Sequence, residues 1–158
     1  GWYVIEPSQD EAREAFEARR VIELGLLHQL KVVDKAALRQ LKSHLQREKA
    51  ALAGTDVGMR SFLLGDFHVR MAELMGNEVL AQMLGDLISR CALITLMYQS
   101  ASAAEHSHEE HADIVAALAA RDEERAVALM QSHLEHVEAS LTFDRKRPAS
   151  DLAAALAS

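Results

Sequence analysis

Residues 77–97, NEVLAQMLGDLISRCALITLM, are the stretch that decides the fold. Asn77 is a good helix N-cap, and the apolar residues after it cover most of the circumference of an α-helix. A helix of this kind is expected in the middle of a helical bundle, with other helices packed around it. Its apolar positions are Leu80, Met83, Leu84, Leu87, Ile88, Cys91, Ile94 and Met97.

Three further helices are predicted before this stretch. Apolar residues repeat at helical spacing over about residues 8–30, which predicts the first helix. Asp34 is a good N-cap for a second helix that ends near Gly54, and a third runs over about residues 56–75. The Gly76-Asn77 pair then separates the third helix from the fourth.

Two more helices are predicted after it. Ser100 to Ala104 form a plausible joint, a fifth helix follows, and Asp122 begins a sixth. Both prolines, Pro7 and Pro148, lie near the ends, so the middle of the chain lacks the strongest helix breaker. The predicted fold is therefore all-α, an antiparallel bundle of six or seven helices.

The domain organisation follows from the same patterns. Residues 8–147 form one helical domain, and residues 148–158 form a short helix or a loose tail. Residues 1–7 differ, because an aromatic and β-branched run, Trp2 to Ile5, precedes Pro7. This opening segment is predicted to be a short strand followed by a linker.

The composition argues against several classes of function. The net charge of −7 predicts that the chain itself does not bind the phosphate backbone of nucleic acids. The single cysteine, Cys91, cannot form a disulfide framework and is expected to be a buried thiol in a cytoplasmic protein. The sequence shows no apolar run of membrane-spanning length without charges and no leader pattern, so no membrane association is expected.

Three histidines carry the predicted chemistry. His68, His111 and His133 each fall at the apolar spacing of a different helix, so all three are expected to point inward. Burying three imidazoles costs desolvation unless each has a partner, and one divalent metal, such as zinc or nickel, would satisfy all of them. Hydrogen-bonded core histidines are the alternative.

The other five histidines give weaker signals. His106 and His108 lie among glutamates, where a solvated helix start is favoured over a second metal site. His28, His44 and His136 are expected at the surface. The sequence has no nucleophile elbow, glycine-rich phosphate loop or HExxH spacing.

Several motifs in order resemble those of the C-terminal effector domain of FadR-type regulators in the GntR superfamily, the FCD domain. The resemblance covers roughly residues 8–143. It is carried by EARRVIE at residues 17–23, by Phe67-His68 with Gly76-Asn77, by EHADI at residues 110–114, and by Asp122, Ala126, Met130 and His133-Leu134.

The resemblance implies a dimeric helical bundle that holds a metal through one aspartate and three histidines. Carried over to this chain, the histidines are His68, His111 and His133. The aspartate position, one helical turn before the first histidine, is Leu64, which cannot coordinate a metal. Asp66 lies on another side of the helix and is a poor substitute. The site therefore either uses three histidines with water or effector, or binds no metal.

The resemblance also implies a ligand and a DNA-binding partner domain. Gly1 to Val4 resemble the last strand of a winged-helix domain, so a DNA-reading domain is expected to be missing upstream. The effector is expected to be a small organic acid, neutralised by an arginine that faces the core. Arg90 is favoured over Arg19, which could instead form a structural salt bridge with Glu23 one helical turn on. A homodimer that controls DNA binding through the missing domain is the predicted assembly.

Two other functions use the same histidines. A metal with an open position could activate water in a helical hydrolase, but no second inward acid or base is evident, and an enzyme is not expected. The remaining alternative is a sensor of the metal ion itself.

Overall fold

The computed structural model describes residues 8–29 and 33–141, which form six α-helices. An Asp, Asn or Ser side chain precedes each helix and accepts a hydrogen bond from a backbone N–H of its first turn. The all-α prediction is confirmed. The helices are α1 (Gln9–His28), α2 (Lys35–Ala53), α3 (Val57–Leu74), α4 (Glu78–Tyr98), α5 (Ala101–Ala119) and α6 (Glu123–Ala139).

The helices close into a ring. Each packs against two neighbours, in the order α1, α4, α3, α2, α5, α6 and back to α1. The turns between α3 and α4 and between α5 and α6 are short, so each of these pairs is an αα-hairpin. Gly76 allows the first turn with a φ of 83°, and Arg121 adopts a φ of 57° in the second.

Apolar side chains fill the ring from both ends. One cluster, which includes Phe67, Met71 and Leu134, joins α2, α3, α5 and α6 with the end of α1. A second, which includes Phe16 and Ile94, joins α1, α4 and α6. Between them lies a group of buried polar side chains, so the fold places polar chemistry in its interior.

The fourth helix is not central, contrary to the prediction. It forms one wall of the ring, and its outward side chains Val79 and Met83 are 69% and 51% exposed. By length and composition alone α4 is apolar enough to cross a membrane, but its inner face, with Leu84 and Ile88, packs in the core. An apolar circumference therefore does not by itself place a helix at the centre of the bundle.

Some predicted boundaries also change. The joint predicted at Ser100 to Ala104 is shorter, because Ser100 caps α5 and the helix begins at Ala101. The predicted strand and linker at residues 1–7 and the predicted tail or seventh helix at residues 148–158 lie outside the described residues.

The α3–α4 contact depends on Gly65. A Cβ atom at this position would lie 2.8 Å from Cγ2 of Ile88, which is closer than packed carbons approach. Gly65 precedes His68 by three residues, so the close contact also sets the distance between this histidine and α4.

We expect Gly65→Ala to lower the free energy of unfolding by about 1–3 kcal/mol, because the added methyl group overpacks the α3–α4 contact. Urea unfolding followed by circular dichroism measures this change. Gly85→Ala is the control, since a Cβ there meets no atom within 4 Å. It should leave stability unchanged or raise it by up to about 1 kcal/mol. Equal effects of the two substitutions would contradict the close-packing explanation.

Candidate metal and effector site

Three histidine nitrogens meet inside the ring. His68 comes from α3, His111 from α5 and His133 from α6, and all three side chains are buried. Their Nε2 atoms form a nearly equilateral triangle, with separations of 3.2, 3.1 and 3.2 Å. The structure thus brings together the three histidines that the sequence singled out.

The triangle has the dimensions of a metal site. An ion about 2.1 Å from each nitrogen, the usual zinc–imidazole distance, would subtend N–metal–N angles of about 100°. That value lies between the tetrahedral and octahedral angles, so the three nitrogens fit one face of either coordination geometry. These histidines could therefore hold a single divalent ion and leave further positions open.

Each histidine is oriented by a carboxylate on its other ring nitrogen. Nδ1 of His68 donates to Glu23 on α1. Nδ1 of His111 donates to Oε1 of Glu48 on α2 at 2.9 Å, and Nδ1 of His133 donates to Oε2 of Glu110 on α5 at 2.7 Å. A neutral imidazole has one N–H, so these hydrogen bonds leave the lone pair of each Nε2 directed into the triangle.

The three carboxylates are themselves held by second partners. Glu23 accepts from Nε of Arg19 at 3.0 Å, Glu48 accepts from Nδ1 of His108 at 2.8 Å, and Glu110 accepts from His136. Burial alone would raise the pKa of each carboxyl group, but the basic partners lower all three pKa values to about 2. The carboxylates are therefore anionic at neutral pH.

Two of the three histidines, His68 and His133, have lowered pKa values. Burial lowers the pKa of His68 to about 4 and the pKa of His133 to about 3, despite the neighbouring carboxylates. Neutral imidazole is the form that binds metals.

A cavity of about 40 Å³ adjoins the three histidines. Leu64, Ile88 and Cys91 form part of its apolar wall, and burial raises the pKa of the Cys91 thiol, as the sequence led us to expect of an inert cysteine. Arg19 also lines the cavity, and its side chain is 5% exposed. Nη2 of Arg19 is buried and has no hydrogen-bond partner.

Comparison with known proteins identifies the family. The family model described as the FCD domain matches residues 14–136. The chain belongs to the FCD family. FCD domains are parts of transcription regulators, so this membership supports a regulatory, effector-binding domain of the GntR type.

One solved structure similar to this FCD domain comes from work on Lar, described as controlling the expression of the Listeria monocytogenes agr system and mediating virulence. It has a TM-score of 0.74 and 14% sequence identity over 84% of this chain, which shows a shared fold. The chain covers 64% of the length of that structure. No curated protein matches the sequence.

Only one of the two arginines predicted to bind effector lies at the cavity of this FCD domain. Arg19 reaches the cavity, whereas Arg90 lies on the exposed side of α4 and does not line it. The core-facing position expected for Arg90 is wrong, because the apolar positions of α4 leave no clear polar face. The departure at Leu64 places an apolar side chain in the cavity wall, and Asp66 instead pairs with Arg70 at 3.3 Å.

Two of the histidines expected outside the core are more buried than predicted. His44 is buried and donates to the carbonyl of Leu63 at 2.9 Å. Burial alone would lower the pKa of His44, but its hydrogen bonds to Glu48 and to the carbonyl of Leu63 raise the pKa overall. His108 is mostly buried against Glu48. His28, His106 and His136 are exposed.

The salt bridge between Arg19 and Glu23 that the sequence offered as an alternative is present, at 3.0 Å. The sequence did not reveal that Glu23, Glu48 and Glu110 orient the three histidines, because a paired glutamate has the same letter as a solvated one. A signal was present for one of them. Glu23 follows Arg19 by one helical turn at an otherwise buried spacing, which is unusual for two charged residues. The sequence also did not reveal the polar residues that line the cavity, which are Thr95 on α4, Gln99 directly after it and Ser107 on α5.

We expect metal-free protein to lose stability as the pH falls below about 6.5, the ordinary pKa of histidine. Between that pH and the native pKa values of His68 and His133, about 4 and about 3, the unfolded chain binds protons that the native protein does not. Each histidine should cost on the order of 2 kcal/mol between pH 7 and pH 5. The carboxylates lose their contribution only below their unfolded pKa, about 4.5.

Urea unfolding in the presence of a chelator at pH 7, 6 and 5 measures this loss. His133→Gln should flatten the profile, because glutamine keeps a donor for Glu110 but binds no proton in the unfolded chain. His28→Ala, at an exposed histidine, should not change the slope. A constant free energy of unfolding between pH 7 and pH 5 would contradict the expectation.

Proposed function

We propose that this FCD domain binds a divalent metal through His68, His111 and His133 and senses a small carboxylate beside it. The observation that carries the proposal is the unpartnered Nη2 of Arg19, which is buried in the wall of the cavity that adjoins the three histidines. A guanidinium stays charged, and a buried donor without a partner is costly. An anionic ligand in the cavity would remove that cost.

The hydrogen bonds around Glu23 support a joint metal and carboxylate site. Glu23 accepts from Arg19 with one oxygen and from His68 with the other, so the arginine and the first ligand histidine are fixed to one carboxylate. A bound metal supplies positive charge and open coordination positions. Arg19 supplies a donor for the second ligand oxygen, and its planar fork suits a carboxylate.

The donor set favours zinc or nickel, which accept imidazole nitrogen readily. Three neutral histidines leave at least one position open, since Leu64 replaces the aspartate that the family supplies. The cavity of about 40 Å³ has room for a short carboxylate in place of a few waters. We therefore propose a ligand with only a few non-hydrogen atoms.

The composition of the cavity favours sensing over hydrolysis. No carboxylate among the described residues lines the cavity, and the three glutamates nearby are engaged by Nδ1 of the ligand histidines. A hydrolase would need a free acid or base within reach of the substrate. Turnover of a metabolite by metal-loaded protein would favour the hydrolase alternative, and a response to metal alone would favour a metal sensor.

We further propose that the domain forms a homodimer through α1 and α4. These helices are neighbours in the ring, and Val21 on α1 and Val79 and Met83 on α4 are exposed aliphatic side chains. Both helices also line the cavity, through Arg19 and Ile88. A ligand that alters their packing would reposition winged-helix DNA-binding domains joined to α1, in a cytoplasmic regulator.

We expect Arg19→Gln to retain metal and lose carboxylate binding by roughly 30-fold or more, because it removes the charged donor but no metal ligand. Leu64→Asp should bind metal more tightly and the carboxylate more weakly, since an added aspartate would occupy an open position. Elemental analysis gives the metal content. Calorimetry with acetate, lactate and malonate on zinc-loaded protein gives the carboxylate affinity.

Three variants that each lack a ligand, His68→Ala, His111→Ala and His133→Ala, should lose the metal, and His28→Ala is the matched control at an exposed histidine. Equal metal content in all of these proteins would overturn the metal site. Unchanged carboxylate affinity in Arg19→Gln would overturn the role of the arginine while leaving the metal site intact.

The dimer is tested by Met83→Asp, which places a charge in the proposed interface and should weaken association by roughly tenfold or more. Sedimentation velocity at micromolar concentration should show a dimer for the unmodified chain and a shift toward monomer for the variant. Met59→Asp is the control, because Met59 is similarly exposed, at 47%, but lies on α3. An unmodified chain that sediments as a monomer would contradict the proposal.

A further inference from the structure

A second group of metal-ligating side chains lies on the outer surface, where α5 packs against α6. His106 and Glu110 are one turn apart on α5, and His136 faces them from α6. Nε2 of His106 lies 3.3 Å from Oε1 of Glu110, and Nδ1 of His136 contacts the same oxygen. One ligand atom from each of the three residues lies within 4.8 Å of the others.

We propose that His106, Glu110 and His136 form a second divalent-metal site, which we call the outer site. Two imidazoles and a carboxylate suit zinc and nickel, and three protein ligands leave positions for water. The histidine side chains are 57% and 55% exposed, so an ion can enter from solvent and keep part of its hydration shell. A bound ion would replace the hydrogen bond between Nδ1 of His136 and Oε1 of Glu110.

The hydrogen bonds around the outer site are compatible with a bound ion. A neutral imidazole moves its single proton to the ring nitrogen that does not bind the metal. For His106 that nitrogen is Nδ1, which lies 3.8 Å from Oε2 of Glu109. This separation is longer than a hydrogen bond, so the Glu109 carboxylate favours a proton on Nδ1 through its charge and does not fix the ring.

The outer site shares a carboxylate with the inner one. Oε2 of Glu110 accepts from Nδ1 of His133 at 2.7 Å, and Oε1 faces His106 and His136. A cation on Oε1 withdraws negative charge from the oxygen that orients His133. It should therefore weaken metal binding at the inner triangle, and thermodynamic linkage makes this effect reciprocal. This coupling rests on the proposed inner metal, whereas the outer site itself does not.

Calorimetric titration of chelator-stripped chain with zinc chloride tests the outer site. The unmodified chain should bind two equivalents, one tightly and one more weakly. His106→Gln should lower the affinity of the weak class by roughly tenfold or more and leave the tight class in place. Because His106 is exposed, the variant should unfold at the same urea concentration as the unmodified chain. His28→Gln is the matched control.

A second variant separates the two sites. His111→Ala should lose the tight class and keep the weak one, because His111 takes no part in the outer site. One equivalent in the unmodified chain that disappears in His111→Ala, or a weak class with unchanged affinity in His106→Gln, would overturn the outer site. If every protein shows the weak class and none shows the tight class, only the inner site is overturned.

Discussion

Three imidazole nitrogens held 3.1–3.2 Å apart, with their lone pairs facing one another, are the constraint on which the rest of the structure depends. The carboxylates on the opposite ring nitrogens fix the tautomers, so the rings cannot relieve the repulsion by sharing protons. A cation at the centre would replace the repulsion between the three lone pairs with attraction to the ion. The ligands and their carboxylates come from α1, α2, α3, α5 and α6, and α4 closes the cavity beside them. The packing of these helices into a ring therefore also brings the residues of the site together.

The position of the cavity connects ligand binding to the surface of the domain. Arg19 reaches the cavity from α1, and Ile88 lines it from α4, so a ligand contacts two adjacent helices at once. Those helices also have the exposed side chains Val21 and Met83. A ligand shifts the equilibrium between two arrangements only by the difference in its affinity for them. Nη2 of Arg19 is buried and has no hydrogen-bond partner among the described residues, so an arrangement that brings Arg19 onto an anionic ligand would have that difference.

Much of the fold was predictable because helix caps and apolar periodicity are local. Asp34, Asn77 and Asp122 precede helices as expected, since a side chain that caps a helix needs only its own neighbours in sequence. The same periodicity predicted the inward direction of the three ligand histidines. It failed for Arg90, because a helix that is apolar nearly all round does not reveal which face meets the core. It also missed Glu48 and Glu110, whose partners among the three ligand histidines come from other helices.

The charges around the site give a physical reason for an uncharged residue at position 64. Glu23, Glu48 and Glu110 are anionic, and Arg19 together with a divalent ion would balance all three. Leu64→Asp would make this buried group net negative before any ligand arrived, and an anionic ligand would then meet repulsion as well as an occupied coordination position. Under the proposed function, leucine in the cavity wall leaves the charge and the ligand atom that an aspartate would provide to a carboxylate from solution. Leu64 would then be a physical reason for the site to depend on its ligand.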